Sequence, residues 1–195
     1  MRELSLNVMD IAQNSISAGA SLITLTVVED QPGDTLSISV EDNGKGMSPE
    51  TVQKVIDPFY TTRTTRSVGL GVPLFKMEAE MTGGSFQIDS QLGVGTTLTA
   101  VFKPSSVDMI PLGDINGTVQ LLISCNPNLD FIFHRVLLTN DGQRREFALK
   151  TAELREVLGE DVPLDTPDVV LWIKDYLSEQ TAELFQSSTT ETQTV

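Results

Sequence analysis

Apolar and polar positions along the chain repeat at two periods, which divide it into helices and strands. In residues 4 to 18, Leu4, Val8, Ile11, Ser15 and Ala18 recur at helical spacing, and Asn7, Asp10, Asn14 and Ser17 form a second stripe opposite. Gly19 supplies the stop. Two alternating segments follow, Leu22 to Val28 and Leu36 to Val40, joined by the turn-forming Asp30-Gln31-Pro32-Gly33-Asp34, and these predict a hairpin. Ser48-Pro49-Glu50 reads as a helix start with a hydroxyl cap and a first-turn proline, the helix running to Ile56 and ending at Asp57-Pro58. A polar loop, TTRTTRS, leads to Gly69-Leu70-Gly71, then to a compact helix from Val72 to Met81 closed by Gly83-Gly84. Ser85 to Asp89 and Thr96 to Phe102 read as strands around the turn Gln91 to Gly95.

Lys103-Pro104-Ser105-Ser106 is the expected boundary. Beyond it the pattern predicts a helix near Asp114 to Ser124 and a hairpin from Phe131 to Leu149 turning at Asn140-Asp141-Gly142. A helix from Ala152 to Leu158 follows, and a last one starts at Thr166-Pro167 with Val170, Ile173, Leu177 and Leu184 on one side. The expected architecture is an α/β two-layer sandwich over residues 1–104, a small acidic α+β domain over 105–186 that is a candidate docking surface, and a disordered tail over 187–195. No internal repeat is visible.

A 39% hydrophobic content over 195 residues is enough for a buried core without staples. The single cysteine, Cys125, excludes an internal disulfide, and with the single histidine, His134, it leaves too few soft ligands for zinc. No apolar run approaches a membrane span and the amino terminus lacks a signal-peptide core, so the expected location is the cytoplasm, without membrane. The formal charge is −14, which disfavours general nucleic-acid binding. Residues 1–104 carry 7 basic and 12 acidic side chains and residues 105–195 carry 6 and 15, so the second part is the more acidic.

Three features of the first part point to chemistry. By the alternation of Leu36, Ile38 and Val40, Asp42 is aimed at the core side of its strand, and Thr96 is aimed inward in the same way, in phase with Leu98, Ala100 and Phe102. Asp10 and Asn14 stand one turn apart on a helix face furnished with short amides, a hydroxyl and a carboxylate, groups that suit Mg²⁺ or else form a plain solvated face. Glycine pairs recur at Gly44 and Gly46, at Gly69 and Gly71, and at Gly93 and Gly95. The second pair runs into a helix amino terminus, where N–H groups and dipole favour phosphate, and Thr61, Thr62, Arg63 and Arg66 precede it with further donors. Two ordinary turns and a linker are the alternative.

Taken in order, these segments resemble the GHKL or Bergerat-fold ATP-binding domain of gyrases, large heat-shock chaperones, sensor histidine kinases and mismatch-repair ATPases. Val8 to Ala20 is similar to the helix that supplies a Mg²⁺-binding asparagine, here Asn14, and one turn earlier a catalytic acid, here Asp10. Asp42-Asn43-Gly44-Lys45-Gly46-Met47 is similar to the first glycine box, whose aspartate pairs with the adenine amino group. Asp57-Pro58-Phe59-Tyr60-Thr61-Thr62-Arg63 resembles the phenylalanine box, Gly69-Leu70-Gly71 the phosphate box, and Gly93 to Thr97 the last box, in which the Thr96 hydroxyl would help hold adenine. The resemblance covers residues 4 to 103 and implies ATP and Mg²⁺ as ligands and a protein partner. It departs from the family pattern in having aspartate at position 10, a short lid between Phe59 and Gly69, and no preceding helical hairpin with a phosphoacceptor histidine.

Two classes of function remain open: an ATPase or protein kinase that moves the terminal phosphoryl group to a protein or to water, and an ATP-gated binding switch with little turnover. Elsewhere, His134 reads as a structural strand residue, Cys125 as a buried small hydrophobe, and Trp172 as a helix core anchor with an interface role as the alternative.

Overall fold

The computed structural model describes residues 3–57, 71–159 and 162–186. In chain order the elements are α1 (Leu4–Ser17), β1 (Leu22–Asp30), β2 (Thr35–Asp42), α2 (Pro49–Val55), α3 (Gly71–Met81), β3 (Ser85–Gln91), β4 (Gly95–Phe102), α4 (Ile115–Cys125), β5 (Asp130–Leu138), β6 (Arg144–Lys150), α5 (Thr151–Leu158) and α6 (Pro167–Phe185). The strands form one mixed sheet in the order β3-β4-β2-β1-β5-β6, antiparallel except between β1 and β5.

Period-two alternation divides the sheet into a helix-covered face and an open one. Ile23, Leu25 and Val27 of β1, Ile38 and Val40 of β2, Leu98 and Ala100 of β4, and Phe131 and Phe133 of β5 point into the helix layer and are buried. Thr24, Thr26, Ser37, Ser39, Thr97 and Thr99 alternate with them and are only half-buried. Helix α1 lies in the middle of that layer between α3 and α4, burying Leu4, Val8, Ile11 and Ser15, the stripe expected from its spacing. Ser48 caps α2 by accepting a hydrogen bond from the Thr51 N–H at 3.3 Å.

The structure departs from the expected division after residue 104. The stretch beyond it continues the same sheet and the same core. Strand β5 pairs parallel with β1 from Leu22–Asp130 to Asp30–Leu138. The Leu4 and Ser5 N–H groups at the start of α1 donate to Pro111 O (3.0 Å) and Leu112 O (2.9 Å), and the Glu3 carboxylate accepts from the Asp114 N–H at 3.4 Å. Buried Arg135 of β5 donates to Glu29 of β1 at 2.9 Å and to Thr181 of α6 at 3.3 Å, and lies 5.2 Å from the centre of the Phe185 ring. The physical reason is the two-sided demand of β1: with β2 on one edge, its other edge still offers unpaired N–H and C=O groups, and β5 satisfies them.

Three single residues complete the comparison. His134 is a strand residue on the open face, 3.4 Å from Glu146. Cys125 is exposed at the last turn of α4 and not buried, because Leu122 and Ile123 already fill the inward side there. Trp172 does not anchor the core: it is 47% exposed and stacks on Tyr176, while Val169, Ile173 and Leu177 face inward. Among the described residues no helix is long and apolar enough to cross a membrane.

Candidate functional site

Asp42 ends β2, where the alternation that buries Leu36, Ile38 and Val40 turns its carboxylate toward α1. Its partner is a hydroxyl from the inward stripe of that helix: Ser15, 4% exposed, donates from Oγ to Asp42 Oδ2 at 2.6 Å. The Gly44 N–H donates to Oδ1 at 2.9 Å. Each carboxylate oxygen thus takes one hydrogen bond and keeps acceptor capacity for another donor. Ser15 was legible as a hydroxyl on an otherwise apolar stripe, but periodicity alone could not say which carboxylate it meets.

Pairing supplies the second side. Asp42 lies directly opposite Thr96 of β4, and Thr96 opposite Ser90 of β3, so the three polar side chains stand in a row on the helix-facing side. Thr96 Oγ1 and Ser90 Oγ share a hydrogen bond at 2.8 Å, and Ser90 Oγ accepts from the Met47 N–H at 2.8 Å. Ser90 lies one residue beyond the strand expected from the sequence, and it ties the Gly44 to Met47 loop to the sheet. At the other end of that loop Asn43 Oδ1 accepts from the Ser21 and Leu22 N–H groups, each at 2.9 Å.

The backbone approaches most closely at Gly95. Its φ is +143°, and a Cβ there would sit 1.9 Å from the Asp42 carbonyl oxygen. A side chain at this position therefore has to part β4 from the end of β2. The expected result for Gly95→Ala is a loss of about 3 kcal/mol from overlap and backbone strain, a fall of roughly 6–12 °C in melting temperature for a chain of this size. A scanning-fluorimetry curve unchanged from wild type would contradict the contact between these strands.

On the outer stripe of α1, Asp10 and Asn14 are exposed, Asn14 next to Ser15 and Asp10 one turn before it. A Cβ at Gly71, the first residue of α3, would lie 2.8 Å from Asp10 Cβ, so Asp10 stands against the amino terminus of that helix. The two helices are also joined by the Asn7 side-chain amide, which donates to the buried Glu78 carboxylate. From Ser15 back to Asp10 the helix rises roughly 7.5 Å, with Asn14 between. The structure therefore brings Asp10, Asn14, Gly71, Asp42, Gly44, Gly46, Met47 and Thr96 along one end of the α1–sheet layer. Phe59, Thr61, Thr62, Arg63, Gly69 and Leu70 lie outside the described residues, as does Arg66. At the same end an open depression includes Thr24, Glu41, Thr97 and Asp89, whose side chains alternate onto the open face and so turn away from Ser15.

A family model described as histidine kinase-, DNA gyrase B- and HSP90-like ATPase matches residues 1–106. The chain is 29% identical over 94 residues to the sensor histidine kinase YvrG of Bacillus subtilis, 46% of this chain and 16% of that protein. It is 37% identical over 102 residues to the sensor protein SrrB of Staphylococcus aureus, 50% of this chain and 17% of that one. The chain thus spans only a small part of the length of these two relatives. Among solved structures, the N-terminal domain of a DNA repair protein superposes with a TM-score of 0.50 at 14% identity, covering 77% of this chain and 53% of that one. That likeness is one of fold, and it takes in more of the chain than residues 1–106.

Proposed function

The chain belongs to the histidine kinase-, DNA gyrase B- and HSP90-like ATPase family, and from that premise we propose that it binds Mg·ATP along α1 and uses it in regulation through a protein partner in the cytoplasm. The observation that carries the reading is Asp42, a half-buried carboxylate fixed by Ser15 and Gly44 and still able to accept from an amino group, with Thr96 paired opposite it. That donor and acceptor set fits adenine, whose exocyclic amine donates to a carboxylate. Gly44, Gly46 and Met47 flank the base, and by its resemblance to the phenylalanine box Phe59 takes part in nucleotide binding as well.

The phosphate side falls to Gly71 at the start of α3 and, by the resemblance of the sequence, to Gly69, Leu70, Thr61, Thr62 and Arg63. A helix amino terminus attracts anions through its dipole and first-turn N–H groups. Asn14 is the protein ligand for Mg²⁺, its exposed amide oxygen suiting an ion that keeps waters and phosphate oxygens around it. When bound, that ion neutralises phosphate charge. Asp10, which stands against Gly71, orients the acceptor hydroxyl or water and takes its proton. The resulting activity is ATP hydrolysis or phosphoryl transfer to a protein.

A second reading, the ATP-gated switch, is favoured by one observation. The first N–H groups of α1 are bonded to Pro111 and Leu112, so any tilt of the nucleotide-binding helix is felt directly by the carboxy-terminal segment. Phosphate release by wild type and Asp10→Asn separates the two. If Asp10 is the base, the variant keeps its ATP affinity and its turnover drops at least about a hundredfold, the low end for loss of general-base catalysis. Equal turnover in both would remove Asp10 from the chemistry, and ATP binding without turnover in wild type leaves the switch.

A further inference from the structure

The carboxy-terminal helix carries a surface that the nucleotide reading does not use. Trp172 and Tyr176, one turn apart on α6, stack at 5.1 Å between ring centroids with 14° between planes. Tyr176 is held from behind, its hydroxyl donating to Ala148 O of β6 at 3.2 Å and its ring edge-on to Phe147. Trp172 is the open end of this aromatic file, with Leu171 55% exposed beside it. Trp172 and Leu171 together leave a rigid apolar surface open beside the buried stripe of Val169, Ile173, Leu177 and Leu184.

The surroundings are acidic. At spacings of three, four, seven and eleven from Trp172, Asp175, Tyr176, Glu179 and Glu183 share its side of the helix. Burial raises the Tyr176 hydroxyl above its usual pKa, and the carboxylates of Glu153 and Glu183 add to the rise, which places both near the ring. Residues 151–186 hold nine acidic and two basic side chains, a net of −7. Three neighbouring cations are engaged, Lys150 by Glu153 at 2.6 Å, Arg155 by Asp130, and Arg145 by the carbonyls of Leu184 and Gln186, while Lys174 of α6 lies roughly opposite Trp172 by its spacing of two. Among the described residues, none of the ion pairs engages Asp175, Glu179 or Glu183.

We propose that this side of α6 docks a basic, arginine-bearing amphipathic segment of a partner protein, with guanidinium stacked on Trp172 and paired with Asp175, Glu179 and Glu183. Charge chooses this occupant. A second copy of the chain, a nucleic acid or an anionic membrane would bring like charge to the patch, whereas arginine satisfies the aromatic face and the carboxylates together. The surface lies by the β6 edge, three strands or roughly 14 Å from β2, so it is separable from the Asp42 site.

The chain has one tryptophan, and its fluorescence reports on the site directly. The full chain, without nucleotide, is titrated with a synthetic arginine–leucine peptide patterned as an amphipathic helix and with the same peptide carrying glutamate for arginine. Docking at α6 gives a saturable change in Trp172 emission with the basic peptide alone, weakening with salt. Anisotropy of the labelled basic peptide then follows variants: Trp172→Ala, and the triple Asp175→Asn, Glu179→Gln, Glu183→Gln, each weaken binding at least about tenfold. The triple Glu50→Gln, Asp89→Asn, Asp108→Asn removes the same charge elsewhere and changes it by less than about twofold. Equal weakening by both triples would mean net charge alone, and unchanged affinity in Trp172→Ala would remove the platform. A dimer in sedimentation that Trp172→Ala dissolves would make the occupant a second copy. Each of these three results overturns the proposal.

Discussion

Asp42→Asn lowers the affinity for ATP several hundredfold, measured by isothermal calorimetry, while the melting temperature of the free protein changes little. The carboxylate accepts on both oxygens, from Ser15 Oγ at 2.6 Å and from the Gly44 N–H at 2.9 Å. An amide can keep one of these: its oxygen takes the Gly44 N–H, and the Ser15 hydroxyl rotates to accept from its nitrogen. The fold therefore survives. Adenine fares differently, because one edge of the amide now presents N–H where the carboxylate presented a lone pair. Losing a charge-assisted hydrogen bond costs roughly 1.5–3 kcal/mol, and leaving a donor facing a donor costs roughly 1–3 kcal/mol more, which together make the factor. Ser15→Ala serves as the graded companion, weakening binding less because Gly44 still holds one oxygen. Unchanged affinity in Asp42→Asn would sink the adenine assignment and leave the α6 docking surface untouched.

Truncation after Ser105 abolishes the fold, although the family model ends at residue 106. Such a chain keeps β1 but loses β5, its partner over the whole strand, and loses α4, which buries Ile115, Val119, Leu122 and Ile123 against α1 and the sheet. Phe131 and Phe133 go with them. At roughly 1.5–3 kcal/mol for each large apolar side chain, those six alone represent about 9 kcal/mol or more, comparable with the entire stability of an ordinary domain. The start of α1 also loses the carbonyls of Pro111 and Leu112. Far-UV circular dichroism and a thermal melt of residues 1–105 beside the full chain test this. A cooperative transition in the short chain would show that the first part stands alone.

Both expectations turn on how much of the structure is encoded locally in the sequence. The helix over residues 4–18, the two hairpins of the first part and the helix from Val72 to Met81 follow from periodicity and turn residues, within a residue of the observed Leu4–Ser17 and Gly71–Met81, because those signals are local and strong. Strand ends were less legible. In the sequence the alternation stops at Asp89, yet β3 runs to Gln91, and the two extra residues bring Ser90 opposite Thr96. A strand ends where its partner ends, and the partner is not written in the strand itself. Trp172 and Cys125 were misplaced for a related reason. Both lie on helices with enough apolar residues to fill the inward side without them, so hydrophobic character alone could not assign their direction.

The candidate site divides in the same way. Sequence by itself determined the chemistry: a carboxylate at position 42 aimed off the end of an alternating strand, amide and carboxylate one turn apart at Asn14 and Asp10, and glycines where backbone must come close. Tertiary structure alone decided who meets whom. Ser15 reached Asp42 because α1 packs across the end of β2, Gly71 reached Asp10 because α3 lies beside α1, and β5 joined β1 because an open strand edge in a sheet seeks the hydrogen bonds it lacks. Local patterns encode which way a side chain points, through the fixed periods of helix and strand. Partners far apart in the chain are chosen only when burial and backbone pairing are satisfied for the whole molecule at once.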